Sequence, residues 1–281
     1  MGIDIGRIGV FTRGSDVAPE QLARLAAQAE KLGYGALWLG GSLQLPLTEV
    51  RAALAATERL VVATGIFRVW DASAAEVAPV WRGLEADFPG RFLFGLGVGH
   101  AGHVEGYQKP LQKMASYLGE LDEVGVPQQV RVLAALGPKM IALAGERGAG
   151  IHPYFTTPSH TKGAREILGA GPLIVPEQKV VIEPDLDKAR AIARTAIEFY
   201  LTLPNYVNNF RREGLGDADF ANGGSDRLVD TLIGTGTVER AAQRVKAHLD
   251  AGADQVAVQV LDTGLDEIEE PLARLAEQLL G

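Results

Sequence analysis

The chain of 281 residues has no cysteine, which excludes disulfides, thiolate nucleophiles and cysteine-ligated zinc or iron–sulfur centres. Aromatic residues make up only 6% against 47% hydrophobic residues, so the core must come mainly from Ala, Val, Leu and Ile, as in an α/β protein. Basic residues form no cluster, and with a formal net charge of -8 the chain is not built to neutralise nucleic-acid phosphates. No apolar run approaches the ~18 residues that span a membrane. Residues 1–7 lack the basic and apolar regions of a secretory signal, so the sequence reads as a soluble cytoplasmic protein. No His-Glu-x-x-His or similar spacing exists, and no metal site is expected.

What is present is a rhythm. Residues 8–11, 36–39, 60–66, 92–98, 130–135, 151–155, 173–182 and 255–260 are short apolar runs that read as strands. Between them, 19–32, 47–56, 74–87, 111–124, 137–148, 158–168 and 185–201 carry helical patterns with Pro near several starts and Gly near several ends. Eight strands joined by right-handed helical crossovers close most naturally as a (β/α)8 TIM barrel, and 281 residues suit one such barrel as a single domain, 1–281. The rhythm breaks over 204–235, rich in Asn and Gly with a short helix at 226–232, which reads as an insertion covering the barrel mouth before helix 238–251 and the last strand.

The run Arg91-Phe92-Leu93-Phe94-Gly95-Leu96-Gly97-Val98-Gly99-His100 organises the site. Phe92, Phe94, Leu96 and Val98 share one face of a strand, and Gly95, Gly97 and Gly99 leave the other bare, with room for something flat. Gly97-x-Gly99-x-x-Gly102 matches a dinucleotide fingerprint, but no helical pattern opens at Gly102 and three strand–helix units precede it, so a Rossmann reading fails. His100 falls just past the strand's C-terminal end, where barrels place chemistry; it is either an acid–base group or a structural cap. Thr64-Gly65 marks either a bulge approaching a ligand or a plain strand end. Gly137-Pro138-Lys139-Met140 is either a phosphate-binding helix start or an ordinary one. His103 and His152 also fall near strand ends, whereas His160 and His248 lie in helical patterns and read as surface residues. Trp38 reads as core by default, although with Ser42 it stands at the tip of a strand; Glu177, in an otherwise apolar strand, is either a ligand contact or the partner of Lys179 or an arginine.

Taken together, the glycine-bearing strand end 62–66, the run 89–99, the Gly137 helix start and the turn 234–240 resemble the luciferase-like monooxygenase superfamily. Strings similar to 36–42, 95–100, 203–209 and 224–230 recur in a branch of coenzyme F420-dependent oxidoreductases. The resemblance implies a flavin or deazaflavin ring across the C-terminal mouth and a non-prolyl cis peptide at Thr64–Gly65 or Gly65–Ile66. It implies cofactor contacts from Thr64, Gly65, Gly97, Gly99, His103, Gly137, Pro138, Lys139, Met140, Ile151 and His152, with the phosphate near Gly137. Trp38, Ser42 and Glu177 are the candidate substrate contacts and His100 the candidate catalytic residue. The chain departs from the family's sugar-phosphate dehydrogenases, with Gly41-Ser42 in place of their acidic–histidine pair and His100 in place of a glutamate. The resulting expectation is an F420-dependent oxidoreductase that moves a hydride to or from a small organic substrate, as a homodimer packed through helices 47–56 and 74–87. An FMN-dependent monooxygenase and a non-catalytic flavin- or deazaflavin-binding protein are the alternatives.

Overall fold

The computed structural model describes residues 3–15, 17–41, 43–100, 109–261 and 263–281. Strands and helices alternate from the start: β1 (Ile8–Arg13), α1 (Pro19–Lys31), β2 (Ala36–Gly40), α2 (Thr48–Ala55), β3 (Val61–Thr64), β4 (Phe67–Arg68), α3 (Ala74–Asp87) and β5 (Phe92–Gly97). They continue through α4 (Pro110–Glu123), β6 (Arg131–Leu133), α5 (Pro138–Arg147), β7 (Gly150–Ile151), α6 (Pro158–Leu168), β8 (Leu173–Ile174) and β9 (Glu177–Ile182). The last part holds α7 (Leu186–Leu201), α8 (Pro204–Arg212), α9 (Asp217–Phe220), α10 (Asp226–Leu232), β10 (Gly234–Gly236), α11 (Val238–Asp250), β11 (Val256–Val260) and α12 (Glu269–Leu279).

Every described strand pairing is parallel, in the order β10-β9-β11-β1-β2-β3-β5-β6-β7-β8. The ring closes because β8 and β9 are one extended run, divided where Pro176 has no N–H to give. On one side of that run the Glu177 amide donates to the Pro153 carbonyl at 2.9 Å; on the other, the Ala257 amide donates to the Pro176 carbonyl at 2.9 Å. The result is the expected (β/α)8 barrel with two short additions, β4 beside the upper half of β5 and β10 beside the upper half of β9.

Side-chain alternation separates three apolar regions. Ile8, Val10, Leu37, Leu39, Val62, Phe92 and Phe94 point outward and pack among the helices. Phe11, Ala36, Trp38, Ala63, Leu93, Val132, Val175 and Ala257 point inward and fill the barrel. A third cluster joins Phe155 and Val181 to α7, α8 and α10 through Ala193, Ile197, Tyr206, Phe210, Leu228 and Val229. Residues 204–232 are thus largely helical and share a core with α7, Phe155 and Val181.

The two helical histidines are not surface residues. His248 is fully buried, its Nδ1 2.8 Å from Thr161 Oγ1 and its Nε2 2.9 Å from Gln178 Oε1, a bridge between α6, α11 and β9. His160 is buried with Nε2 2.9 Å from the Leu136 carbonyl. On α11, His248 continues the buried row Ala241, Ala242 and Val245, so the helical period itself marks it as inward-facing.

Candidate active site at the barrel mouth

The bare glycine face of β5 is not open space. A Cβ at Gly95 would stand 1.7 Å from the Thr64 carbonyl oxygen, and one at Gly97 would stand 2.5 Å from Ile66 Cδ1. The chain leaving β3 bulges into the room these glycines give up, and Ile66, half-buried, lies over Gly97. Thr64 is fully buried, its hydroxyl accepting from the Gly95 amide at 2.8 Å and donating to the Gly95 carbonyl at 2.9 Å. Thr64 and Gly95 therefore serve the barrel wall. The peptide bonds on both sides of Gly65 are trans, contrary to expectation; Leu45–Pro46 is the only cis bond among the described residues. Close approach of the two strands is made here by the missing Cβ of Gly95.

Deeper candidates are also sealed. Trp38 is fully buried, donates from Nε1 to Gln255 Oε1 at 2.7 Å, and stacks on His152 at 4.3 Å between ring centroids with 14° between planes. His152 bonds the Val175 carbonyl through Nδ1 at 2.7 Å, while its Nε2 has no hydrogen-bond partner among the described residues. Burial lowers its pKa to about 4, so the ring is neutral. Phe11 lies over His152 at 5.8 Å. These rings stack inside the barrel as the floor of the mouth. Ile151 points outward into the helix layer and is removed from the mouth.

Above that floor the inward phase of each strand brings chemistry together. Glu177 and Lys179, two apart on β9, both face inward, and Lys179 Nζ donates to Glu177 Oε2 at 3.0 Å with both side chains buried. The Phe155 amide donates to the same oxygen at 3.1 Å, from a residue with φ of 57°, an uncommon conformation for a side chain of this size. Lys179 Nζ lies 3.7 Å from the Tyr154 ring centroid, 4.3 Å from that of Phe155 and 5.4 Å from that of Tyr200, a cation held over aromatic faces. The Tyr200 hydroxyl donates to the Tyr154 hydroxyl at 3.2 Å, and Tyr154 donates to Gln259 Oε1 at 3.0 Å. Burial lowers the pKa of Lys179 to about 8 against the opposing pull of Glu177, and raises that of Glu177 above the usual carboxylate range.

His100 joins this cluster from the end of β5, with its ring 5.8 Å from Tyr206, which in turn stands edge-on to Tyr200 at 4.9 Å. Glu177 and His100 are thus gathered at one mouth through three tyrosines. Lys179, Tyr154, Tyr200, Tyr206 and Gln259 were not singled out from the sequence as site residues. For Lys179 the signal existed, since it shares a strand face with Glu177. For Tyr200 and Tyr206 none did, because only the turn between α7 and α8 folds them over the mouth.

Gly137 to Met140 stand apart on the rim. Pro138 and Lys139 are exposed, Gly137 caps α5 in extended conformation, and a Cβ there would meet nothing within 4 Å. The amides of Met140 and Ile141 both turn back to the Gly137 carbonyl, which leaves fewer free donors than an open helix start offers. Gly99, with φ of 63°, ends the β5 run beside His100. Ser42 and His103 lie outside the described residues. Among the described residues no group of His, Asp or Glu could hold a metal ion, and no helix is long and apolar enough to cross a membrane.

A parallel (β/α)8 barrel with titratable and aromatic groups gathered at the C-terminal ends of its strands has the layout of a barrel enzyme. Residues 6–125 match the family of luciferase-like monooxygenases, and the whole chain has the luciferase-like barrel fold. No curated protein sequence matches the chain. Among solved structures, the coenzyme F420-dependent tetrahydromethanopterin reductase from Methanopyrus kandleri superposes with a TM-score of 0.75 at 16% identity, covering 98% of each chain. An F420-dependent secondary alcohol dehydrogenase, in complex with an F420–acetone adduct, gives 0.73 at 16% identity over 98% of this chain and 99% of that one. The oxygenating constituent of 3,6-diketocamphane monooxygenase from Pseudomonas putida, in complex with FMN, gives 0.70 at 14% identity over 97% and 98%. At these identities the likeness is one of fold.

Proposed function

We propose that the chain is an oxidoreductase that binds a flat redox cofactor at its C-terminal mouth, coenzyme F420 in preference to FMN, and exchanges a hydride with a small organic substrate. The observation that carries this reading is the single connected cluster at the mouth: His100, Tyr206, Tyr200, Tyr154 and the Glu177–Lys179 pair stand together over a floor sealed by Phe11, Trp38 and His152. The described residues fit such a cofactor at two places. The half-buried Ile66 over Gly97 is an apolar surface at the end of β5, and the α5 start offers its phosphate an open glycine, an exposed Lys139 and the positive end of a helix. When bound, the cofactor supplies the hydride chemistry, and the protein supplies position and electrostatics.

His100 holds or releases the proton that accompanies the transfer, since an imidazole nitrogen can both donate and accept one. The neutral floor adds no competing charge beneath it. Fluorescence titration of the purified protein with coenzyme F420 and with FMN tests the reading. Tighter binding of F420 is expected; FMN binding tighter by about tenfold, ~1.4 kcal/mol, would favour the FMN-type oxygenase instead. Binding without turnover on any substrate of a broad panel would mark a cofactor carrier.

A further inference from the structure

We propose that the buried Glu177–Lys179 pair is the substrate subsite, and that it receives the oxygen of a neutral alcohol or of the matching ketone or aldehyde. This assignment rests on the oxidoreductase reading above and names the substrate class of the same mouth.

The pair is only partly satisfied. Glu177 Oε2 accepts from both Lys179 Nζ and the Phe155 amide, whereas Glu177 Oε1, equally buried, has no hydrogen-bond partner among the described residues. Lys179 has three N–H bonds as an ammonium, and Glu177 is its one hydrogen-bonding partner among the described residues; the other side of the head group meets ring faces. A spare carboxylate acceptor therefore stands beside spare ammonium donors. Buried polar atoms in folded proteins are normally paired, and each exception asks for an absent partner.

Charge and donor pattern select that partner. The pair is neutral as a whole, so an anionic head group drawn to Lys179 would be repelled by Glu177 Oε1, and a cation drawn to Glu177 would be repelled by Lys179. A hydroxyl satisfies both at once, its oxygen accepting from Lys179 and its O–H donating to Glu177 Oε1. A carbonyl oxygen uses the Lys179 donors alone. Carbonyl and alcohol are the two sides of one hydride exchange, so the same subsite serves reactant and product.

The surroundings suit such a ligand. Tyr154 and Tyr200, whose rings cover Lys179, are half-buried, and so is Gln259, so the pair sits one layer below solvent. Phe155 keeps its amide on Glu177 by holding a left-handed backbone, which fixes the carboxylate with Oε2 engaged and Oε1 spare. A plain structural ion pair would need neither the strain nor the unpaired oxygen.

The experiment uses the full chain without cofactor, labelled with ¹³C at lysine Cε, and follows the Lys179 resonance, assigned by its loss in Lys179→Met. Cyclohexanol and cyclohexanone are titrated in, with methylcyclohexane carboxylate as an anionic control. Both neutral probes are expected to shift the Lys179 signal saturably, and the carboxylate is not. Glu177→Gln also removes the carboxylate that favours the Lys179 ammonium, so both probes weaken, and cyclohexanol is expected to lose at least about tenfold more affinity than cyclohexanone, the loss of one charge-assisted hydrogen bond. A wild-type Lys179 signal unmoved by either neutral probe, or moved only by the carboxylate, overturns the proposal, and that readout needs no variant to fold. Equal weakening of both probes in a folded Glu177→Gln protein also overturns it. The F420 titration is independent: cofactor binding with a silent Lys179 sinks the subsite alone, and failure of cofactor binding sinks the oxidoreductase reading.

Discussion

Thr64 and Gly95 interlock across adjacent strands: the threonine hydroxyl bonds both the amide and the carbonyl of residue 95, and the threonine carbonyl occupies the place a Cβ would take there. Gly95→Ala cannot be absorbed by a flexible side chain, because the atom it meets is backbone. It is expected to cost about 3 kcal/mol or more, the upper range of overpacking. Thr64→Val keeps the shape and loses two buried hydrogen bonds, an expected cost of about 1–3 kcal/mol. Urea unfolding of both variants measures this; a Gly95→Ala protein as stable as the parent would show that the bulge moves freely.

Acid should weaken the barrel through its buried histidines. The folded pKa of His152 is lowered to about 4 by burial, below the ordinary 6.5. Its contribution is therefore complete above pH 6.5 and is lost as pH falls towards 4, because the unfolded chain takes up the proton first. At ~1.4 kcal/mol per unit the full loss is about 3 kcal/mol. His248, lowered by burial to about 3, adds a dependence of the same sign that runs further down. His152→Phe is expected to make unfolding free energy less steep in pH between 6.5 and 4, with His248, His160 and the lowered carboxylates Glu30, Asp122 and Asp219 contributing to what remains; an unchanged slope would mean His152 is reached by water.

The rim assignment is tested by charge at an open position. Since a Cβ at Gly137 meets nothing and φ there is -96°, Gly137→Ala should leave stability and cofactor affinity nearly unchanged. Gly137→Asp should fold equally well and bind F420 more weakly by about tenfold or more, as its carboxylate meets the phosphate at close range. Equal affinities for the two variants would move the phosphate away from α5.

His100→Asn keeps a polar side chain and removes proton transfer. Turnover is expected to fall by about 10²-fold or more with little change in F420 affinity, separating catalysis from binding. If binding collapses while turnover of bound cofactor survives, His100 positions the cofactor and does not move the proton.

The barrel was legible because strand alternation and helix periods are local signals, and α3, α6 and α10 fall where their patterns place them. The glycines of β5 were legible as a bare face, but not what fills it, since the filler comes from residues 64–66 of another strand. Trp38 and His152 sit at strand positions of the right phase, and phase does not tell depth; their stacking places them under the mouth. Lys179 is not legible as a site residue, because a lysine beside a glutamate reads as its counter-ion, which it is, and the unused atoms of the pair emerge only from the packing around it. The mouth is assembled from β5, β7, β9, β11 and α7–α8, segments far apart in sequence whose meeting no short pattern records.

The run 173–182 changes partners halfway, bonding to β7 below and to β10 above. Between Pro153 and β10 the upper wall of the barrel is therefore closed by Phe155, Tyr206, Phe210, Leu228 and Val229 instead of by a backbone ladder. A wall of that kind has a seam: side chains can part and re-seat without breaking the strand hydrogen bonds that hold the ring. Amide exchange should accordingly be quicker in α8 to α10 than in β1 or β2, and molecules entering or leaving the mouth would pass by a breathing flank while the barrel beneath stays shut.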